Sequence, residues 1–172
     1  MPFESMLAMA AALLVAGGGA KLFDAAPTRG ALRAAGLPSG RVVVTALAIW
    51  EMMVGATALA IPGPVAPLAV AATYAGFTAF VGYALARDLP LQSCGCFGRT
   101  DTPPSVIHLV VDATAALAAV FAAGSDPLFD RITANPGAGL AEAMFVAVGA
   151  YLMYLMLAEL PATLAAARAG SA

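Results

Sequence analysis

Charged residues are scarce in this chain of 172 residues, because Asp, Glu, Lys and Arg together make up only 10% of it. Soluble globular domains carry about a quarter charged residues, and the mean hydropathy of +0.89 also departs from their range. A soluble domain of ordinary composition is therefore excluded. The 8 basic residues form neither a stripe nor a tail, so nucleic-acid binding is not expected.

Long polar stretches are also missing, and apolar runs take their place. Five runs approach the roughly 20 residues that a helix needs to cross about 30 Å of hydrocarbon. They lie near residues 6–23, 42–61, 65–87, 105–124 and 138–160. Because backbone groups in lipid must be satisfied internally, the runs predict an all-α polytopic membrane bundle of about five transmembrane helices. We expect residues 1–172 to form a single integral membrane domain.

No Lys or Arg precedes the first apolar run, so a retained span is expected there rather than a cleaved secretion signal. Gly- and Pro-rich links separate the runs and predict loops, namely AAPTRGALRAAGLPSGR, IPGPVAP and GSDPLFDRITANPGAG. Alternating spans place Arg131 alone on one side, against Lys21, Arg29, Arg33, Arg41, Arg87, Arg99 and Arg168 on the other. The positive-inside rule then predicts an external amino terminus and a cytoplasmic loop after the third run. The expected location is a bacterial-type inner membrane.

Cysteine is nearly absent, and both thiols, Cys94 and Cys96, fall in the segment LQSCGCFGRTDTPPSVIHL at residues 91–109. The intervening Gly95 permits the sharp backbone of a very small disulfide ring. Such a ring is strained, and strained disulfides are the labile, catalytic or regulatory kind. A staple across so short a loop also removes little chain entropy. The pair therefore favours thiol–disulfide exchange over a structural role, and a thiol–disulfide oxidoreductase is one interpretation.

Three residues near the cysteines can tune their reactivity. Arg99 and the start of the fourth apolar run can raise the thiolate fraction. The only histidine, His108, is followed by Asp112 at i+4, so both side chains can share one helix face. A carboxylate would orient the imidazole, which would take or give the thiol proton. The pattern predicts a Cys/His/Asp constellation.

Other interpretations of the same residues stay open. The two thiols can be packing residues, and Cys94, Cys96 and His108 can together bind Cu(I) or Zn, although no fourth ligand is evident. A third hypothesis is a non-catalytic subunit that scaffolds a larger membrane complex.

One acidic residue, Glu51, falls about ten residues into the second run and hence near the middle of the membrane. Ionisable groups there cost about 2.5–3.5 kcal/mol on insertion scales and usually face a partner or a proton path. Both a functional acid and a protonated, hydrogen-bonded side chain are consistent with this position. Lys21 is expected to lie too near the membrane edge to pair with Glu51 unless the helices are offset, and Glu142 and Glu159 are expected at the interfaces.

Four segments together resemble the MauE family of methylamine utilisation proteins, within the DoxX-like group of small helical membrane proteins: GGGAKLFD, WEMMVGATAL, CGCFG and SVIHLVVDATAAL. The resemblance covers most of the first four spans and implies a four-helix core plus one further helix. It implies a redox-associated membrane protein that assists disulfide formation or maturation of the methylamine dehydrogenase small subunit, with Cys94 and Cys96 as the redox pair.

The resemblance also suggests partners. The chain would sit in the lipid bilayer and meet a thiol or disulfide partner protein. No cofactor is evident from the residues, but a looser similarity to quinone-linked thiol oxidases suggests a quinone as electron acceptor. Those oxidases relay electrons through a second cysteine pair, which this sequence lacks.

Overall fold

A computed structural model describes residues 2–91, 93, 102–159 and 163 of the chain. This part of the chain contains no strand and folds into helices α1 (Pro2–Phe23), α2 (Ala26–Ala34), α3 (Arg41–Ala60), α4 (Val65–Ala86), α5 (Val106–Phe121), α6 (Leu128–Ala134) and α7 (Pro136–Ala158). Four of them, α1, α3, α4 and α7, are long and apolar enough to cross a membrane, and α5 is a shorter apolar helix. The predicted all-α polytopic membrane fold is confirmed.

The five apolar runs correspond to α1, α3, α4, α5 and α7, whose ends lie within about one turn of the predicted positions. Two links that were predicted as loops contain the short helices α2 and α6. In α2, a proline near the first position suits the start of a helix, and Thr28 and Ala31 are buried. The prediction of a loop was wrong at α2. This helix buries only small side chains, and it lies in a segment rich in Gly and Pro, so the sequence shows no clear apolar face there.

Two glycines set the register between α1 and α3. A Cβ atom on Gly18 would lie 2.5 Å from the carbonyl oxygen of Ala48, and one on Gly55 would collide with the backbone of Ala11. Absence of a side chain at both positions lets the two backbones approach closely. Because Gly18 faces Ala48 while Gly55 faces Ala11, the helices run antiparallel.

The carboxyl ends of α1, α4 and α7 and the amino ends of α3 and α5 lie at one end of the bundle, which we call the loop end. There, Leu91 packs with Ala31 of α2 and Ala84 of α4 in one buried apolar cluster. The Thr102 hydroxyl donates a hydrogen bond of 2.8 Å to the carbonyl oxygen of Leu157 in α7. Leu91 and Thr102 therefore both pack against the bundle at the loop end.

An ion pair joins the helices at the opposite end. Arg131 of α6 donates two hydrogen bonds to the Glu142 carboxylate, at 3.0 and 2.8 Å. Ser5 of α1 donates a third to the same carboxylate at 3.0 Å. Because the amino-terminal parts of α1 and α7 meet here, these two helices run parallel. Glu142 is one of the two acids that were expected at an interface.

Among the described basic residues, the distribution between the two ends of the bundle follows the alternating arrangement with one exception, while Arg99 and Arg168 lie outside the described residues. Arg29, Arg33 and Arg41 fall in α2 or at the start of α3, whereas Arg131 lies in α6 at the opposite end. Lys21 is the exception, because its side chain is only 3% exposed and lies inside the bundle. Which end faces the cytoplasm remains a prediction from the charge distribution.

Candidate functional site

Among the described residues, one Lys, one Glu, one His and one Asp side chain lie buried inside the bundle toward the loop end, and we call them the polar cluster. They are Lys21 of α1, Glu51 of α3, and His108 and Asp112 of α5, each between 1% and 3% exposed. Ionisable groups inside a membrane protein are costly to bury and commonly mark ion, proton or substrate pathways. The polar cluster is therefore the candidate functional site of the part of the chain that the structure describes.

Lys21 and Glu51 form a buried ion pair, in which Nζ donates a hydrogen bond of 2.9 Å to Oε2. Lys21 was expected to pair with Glu51 only if the helices were offset, and the pair is formed. Gly18, one turn before Lys21, faces the stretch of α3 that contains Glu51, because α3 begins beyond the end of α1. Side chains also tilt toward the amino terminus of their own helix, so those of two antiparallel helices converge here.

Aromatic rings and a small cavity surround this ion pair. The Lys21 Nζ atom lies 5.9 Å from the centre of the Phe77 ring, within the range of a cation–π contact. The cavity has a volume of about 20 Å³, and its lining includes Lys21, Glu51, Tyr74 and Asp112. The Tyr74 hydroxyl donates a hydrogen bond of 2.9 Å to the carbonyl oxygen of Ala10, which orients it within the bundle. The cavity thus places acids from α3 and α5 against one shared space.

Only one carboxylate oxygen of Glu51 is engaged by Lys21. The other, Oε1, has no hydrogen-bond partner among the residues that the structure describes. Glu51 itself is 1% exposed, so bulk solvent does not supply one. A buried carboxylate oxygen in this state is a position where a donor is expected to bind.

His108 and Asp112 occupy one turn of α5 and are both buried, as their spacing predicted for a shared face. Ser105 lies at the N-cap position of α5, but its side chain makes no capping bond to the backbone. Its hydroxyl instead lies 2.9 Å from Nδ1 of His108. Ser105, at the start of α5, therefore orients the His108 ring.

Cys94, Cys96 and Arg99 lie outside the described residues, so their predicted roles remain predictions. Their neighbours along the chain are described at the loop end. Leu91 is buried against α2 and α4, and Thr102 is buried against α7. The polar cluster and both flanks of the CGC segment therefore lie at the same end of the bundle.

A larger pocket of about 350 Å³ lies between α2, α3 and α4, toward the loop end. Its lining is mainly apolar, and Lys21 and Thr28 are among its polar groups. Gly76 also lines the pocket, and a Cβ atom there would meet nothing within 4 Å. The volume falls at the lower end of the range for ligand pockets. Phe80 lines this pocket and also packs against the cluster that contains Leu91.

Glu51, His108 and Asp112 were identified from the sequence as candidate site residues, but Lys21 was not identified as a member of the site. Part of the signal was present, because an ionisable residue inside a bundle usually pairs with another one and Lys21 is the one basic residue within the first apolar run, but the register that brings the two side chains together is not encoded in that pattern. Among the described residues, no group of three His, Cys, Asp or Glu side chains is placed to hold a metal ion. A site built from Cys94, Cys96 and His108 involves residues beyond that set and stays a prediction.

Comparison with known proteins connects the chain to a family. The family model of the methylamine utilisation protein MauE matches residues 3–125, which is more than half of the 172 residues. The matched region contains helices α1 to α5, all members of the polar cluster and the CGC segment, and it ends before α6 and α7. No curated protein and no solved structure matches the chain. By this match, and with the membrane-type bundle that carries it, the chain belongs to the MauE family.

Proposed function

We propose that this protein carries out thiol–disulfide exchange through Cys94 and Cys96, in the maturation of a secreted or periplasmic redox protein. The observation that carries the proposal is the position of the polar cluster, at the same end of the bundle as both flanks of the CGC segment. Membership of the MauE family supports methylamine utilisation as the setting, and a methylamine dehydrogenase subunit as the partner type.

In the oxidising direction, a partner thiolate attacks one sulfur of the Cys94–Cys96 disulfide and breaks the sulfur–sulfur bond. The partner's second thiolate then attacks the partner sulfur of the mixed disulfide and releases the reduced pair. The partner loses two electrons and two protons, and Cys94 and Cys96 gain them. His108 would transfer the thiol proton, oriented by Ser105 at 2.9 Å and by Asp112 one turn away. Arg99 would stabilise the thiolate.

A reduced pair must pass its electrons on before it can act again. We propose a membrane quinone as acceptor, in the pocket of about 350 Å³ that Lys21 and Thr28 line. Oxidation of two thiols to a disulfide releases two electrons and two protons, and their uptake converts a quinone to a quinol. The apolar lining suits a ring and tail that partition into lipid, while the polar groups suit the ring oxygens.

Two arguments about sidedness oppose each other. Maturation of a secreted protein needs thiols at the oxidising face of the membrane. The basic residues Arg29, Arg33, Arg41 and Arg87 at the loop end favour the cytoplasm. Labelling of Cys94 and Cys96 in intact cells with a membrane-impermeant thiol reagent decides between them, because these are the only cysteines in the chain.

The proposal is tested by trapping the partner. Variants Cys94→Ser and Cys96→Ser each keep one thiol, and the variant that lacks the resolving cysteine should accumulate a mixed disulfide, visible as a band that a reductant removes. The double variant has no thiol and is the control, with its helix content compared with that of the wild type by circular dichroism. If both single variants mature the partner at the wild-type rate and trap nothing, thiol exchange is not the function.

Copper or zinc that is bound in stoichiometric amounts and lost in the double variant would then support the metal-binding interpretation.

A further inference from the structure

The unsatisfied oxygen of Glu51 is the starting observation. Its Oε1 atom has no hydrogen-bond partner among the described residues, and the residue is 1% exposed. Leaving a buried acceptor unsatisfied costs about 1–3 kcal/mol, and more when the group is charged. Some donor is therefore expected at this oxygen.

The adjoining cavity has the size and lining of a water site. A volume of about 20 Å³ exceeds the roughly 10–15 Å³ that one water molecule needs. A buried water also needs about two to four polar partners, and Lys21, Glu51 and Asp112 all line this cavity. The rest of the lining is mainly apolar and includes Leu14 and Val111.

We propose that this cavity holds one water molecule that donates a hydrogen bond to Glu51 Oε1 and links it to Asp112, forming a proton-transfer site between α3 and α5. A proton passes when the Asp112 carboxyl gives its proton to the water and the water gives another to Glu51. The water is neutral before and after the step. The site does not depend on the cysteines, and it therefore goes beyond the proposed thiol chemistry.

The described titratable groups that line the cavity come from α1, α3, α4 and α5. Lys21 faces Glu51 from α1, Tyr74 from α4 and Asp112 from α5, and the α7 residue in the cavity lining is Leu157. His108 lies one turn before Asp112 and meets Ser105 at the start of α5. The polar groups thus form a series from the loop end to the Lys21–Glu51 pair.

Infrared difference spectroscopy of the purified protein in lipid, between two pH values, tests the proposal. A narrow O–H stretching band should shift when H₂¹⁶O is replaced by H₂¹⁸O. It should disappear in Val111→Ile, which adds a methylene to the cavity wall, and persist in Val110→Ile, because Val110 is 57% exposed. The carboxyl band of Glu51 is identified as the band that Glu51→Gln removes. Its frequency should shift when Asp112→Asn is introduced into the wild type. The same substitution should cause no shift in a protein that also carries Val111→Ile.

A second measurement uses the unmodified protein and does not depend on how the variants fold. A high-resolution density map should show one peak within hydrogen-bond distance of Glu51 Oε1. Three results would each overturn the proposal. The first is an isotope-sensitive band that survives Val111→Ile, and the second is an empty cavity in the map. The third is a band that appears only when sodium ions are present, which would indicate a bound ion at Glu51. Removal of both cysteines should leave the water band intact, so failure of the thiol chemistry and failure of the water site are distinguishable.

Discussion

The buried ion pair between Lys21 and Glu51 can be dismantled one charge at a time or as a whole. Lys21→Met removes the cation that bonds the Glu51 carboxylate, and Glu51→Leu removes the carboxylate that bonds Lys21. The double variant Lys21→Met/Glu51→Leu removes both charges and keeps the approximate side-chain volumes. Both side chains are almost fully buried, at 3% and 1% exposure, so bulk water does not reach the position of a lost partner.

The magnitudes follow from the separation of the charges. At 2.9 Å, the Coulomb attraction is about 6 kcal/mol for an effective dielectric constant of about 20. Burying the two ions costs several kcal/mol each, so the pair contributes little net stability. Removing one partner should lower the free energy of unfolding by about 3–5 kcal/mol, since the other charge stays buried. The double variant should lie within about 1–2 kcal/mol of the wild type or above it.

Unfolding in mixed micelles, followed by circular dichroism and by fluorescence of the only tryptophan, measures these differences. That residue, Trp50, precedes Glu51 in α3, and its indole N–H donates a hydrogen bond of 3.1 Å to Thr73 of α4. The emission therefore reports on the packing of α3 against α4. If the double variant is as unstable as either single one, Lys21 and Glu51 are not an energetically coupled pair and the reasoning fails. A stable double variant with impaired partner maturation would assign the charges to function.

Three further predictions concern packing, proton transfer and the pocket. Gly18→Ala should destabilise the bundle by about 1–3 kcal/mol, because its Cβ would meet α3, whereas Gly19→Ala meets nothing within 4 Å and should stay within about 1 kcal/mol of wild type by the same unfolding assay. Ser105→Ala should slow exchange with a model disulfide, as measured by stopped flow. The decrease should be smaller than the roughly 10²-fold decrease expected if His108 transferred no proton at all. An unchanged rate would contradict the orienting role of Ser105. Gly76→Leu should fill the large pocket and raise the KM for a soluble quinone in steady-state assays, leaving exchange with the model disulfide unchanged, and an unaltered KM would exclude this pocket as the quinone site.

Local sequence patterns were sufficient to predict the long helices of this fold. Length and hydropathy define the five apolar runs, because a helix in lipid needs a continuous apolar stretch. Short helices such as α6 (Leu128–Ala134) carry no such requirement, and adjacent Pro and Gly residues obscured them. The i, i+4 spacing of His108 and Asp112 predicted a shared face, because that relation lies within one helix turn.

The relations that the sequence did not reveal are those between helices. The pairing of Lys21 with Glu51 depends on the register of α1 against α3, which the close contact at Gly18 fixes. Ser105 occupies the N-cap position of α5, but its hydroxyl bonds to His108 instead of the backbone, because tertiary context decides between the several partners open to such a side chain. Neither choice is visible in a single sequence.

The redox potential of Cys94 and Cys96 in native membranes tests the central proposal most directly. Rapid acid quenching and differential alkylation after equilibration in glutathione buffers of graded potential would give the fraction oxidised at each potential. Thiol–disulfide exchange predicts a reversible two-electron transition well above about −300 mV, the value below which resistant structural disulfides typically lie. Two thiols that remain reduced at every potential, or a disulfide that no glutathione buffer reduces, would contradict it.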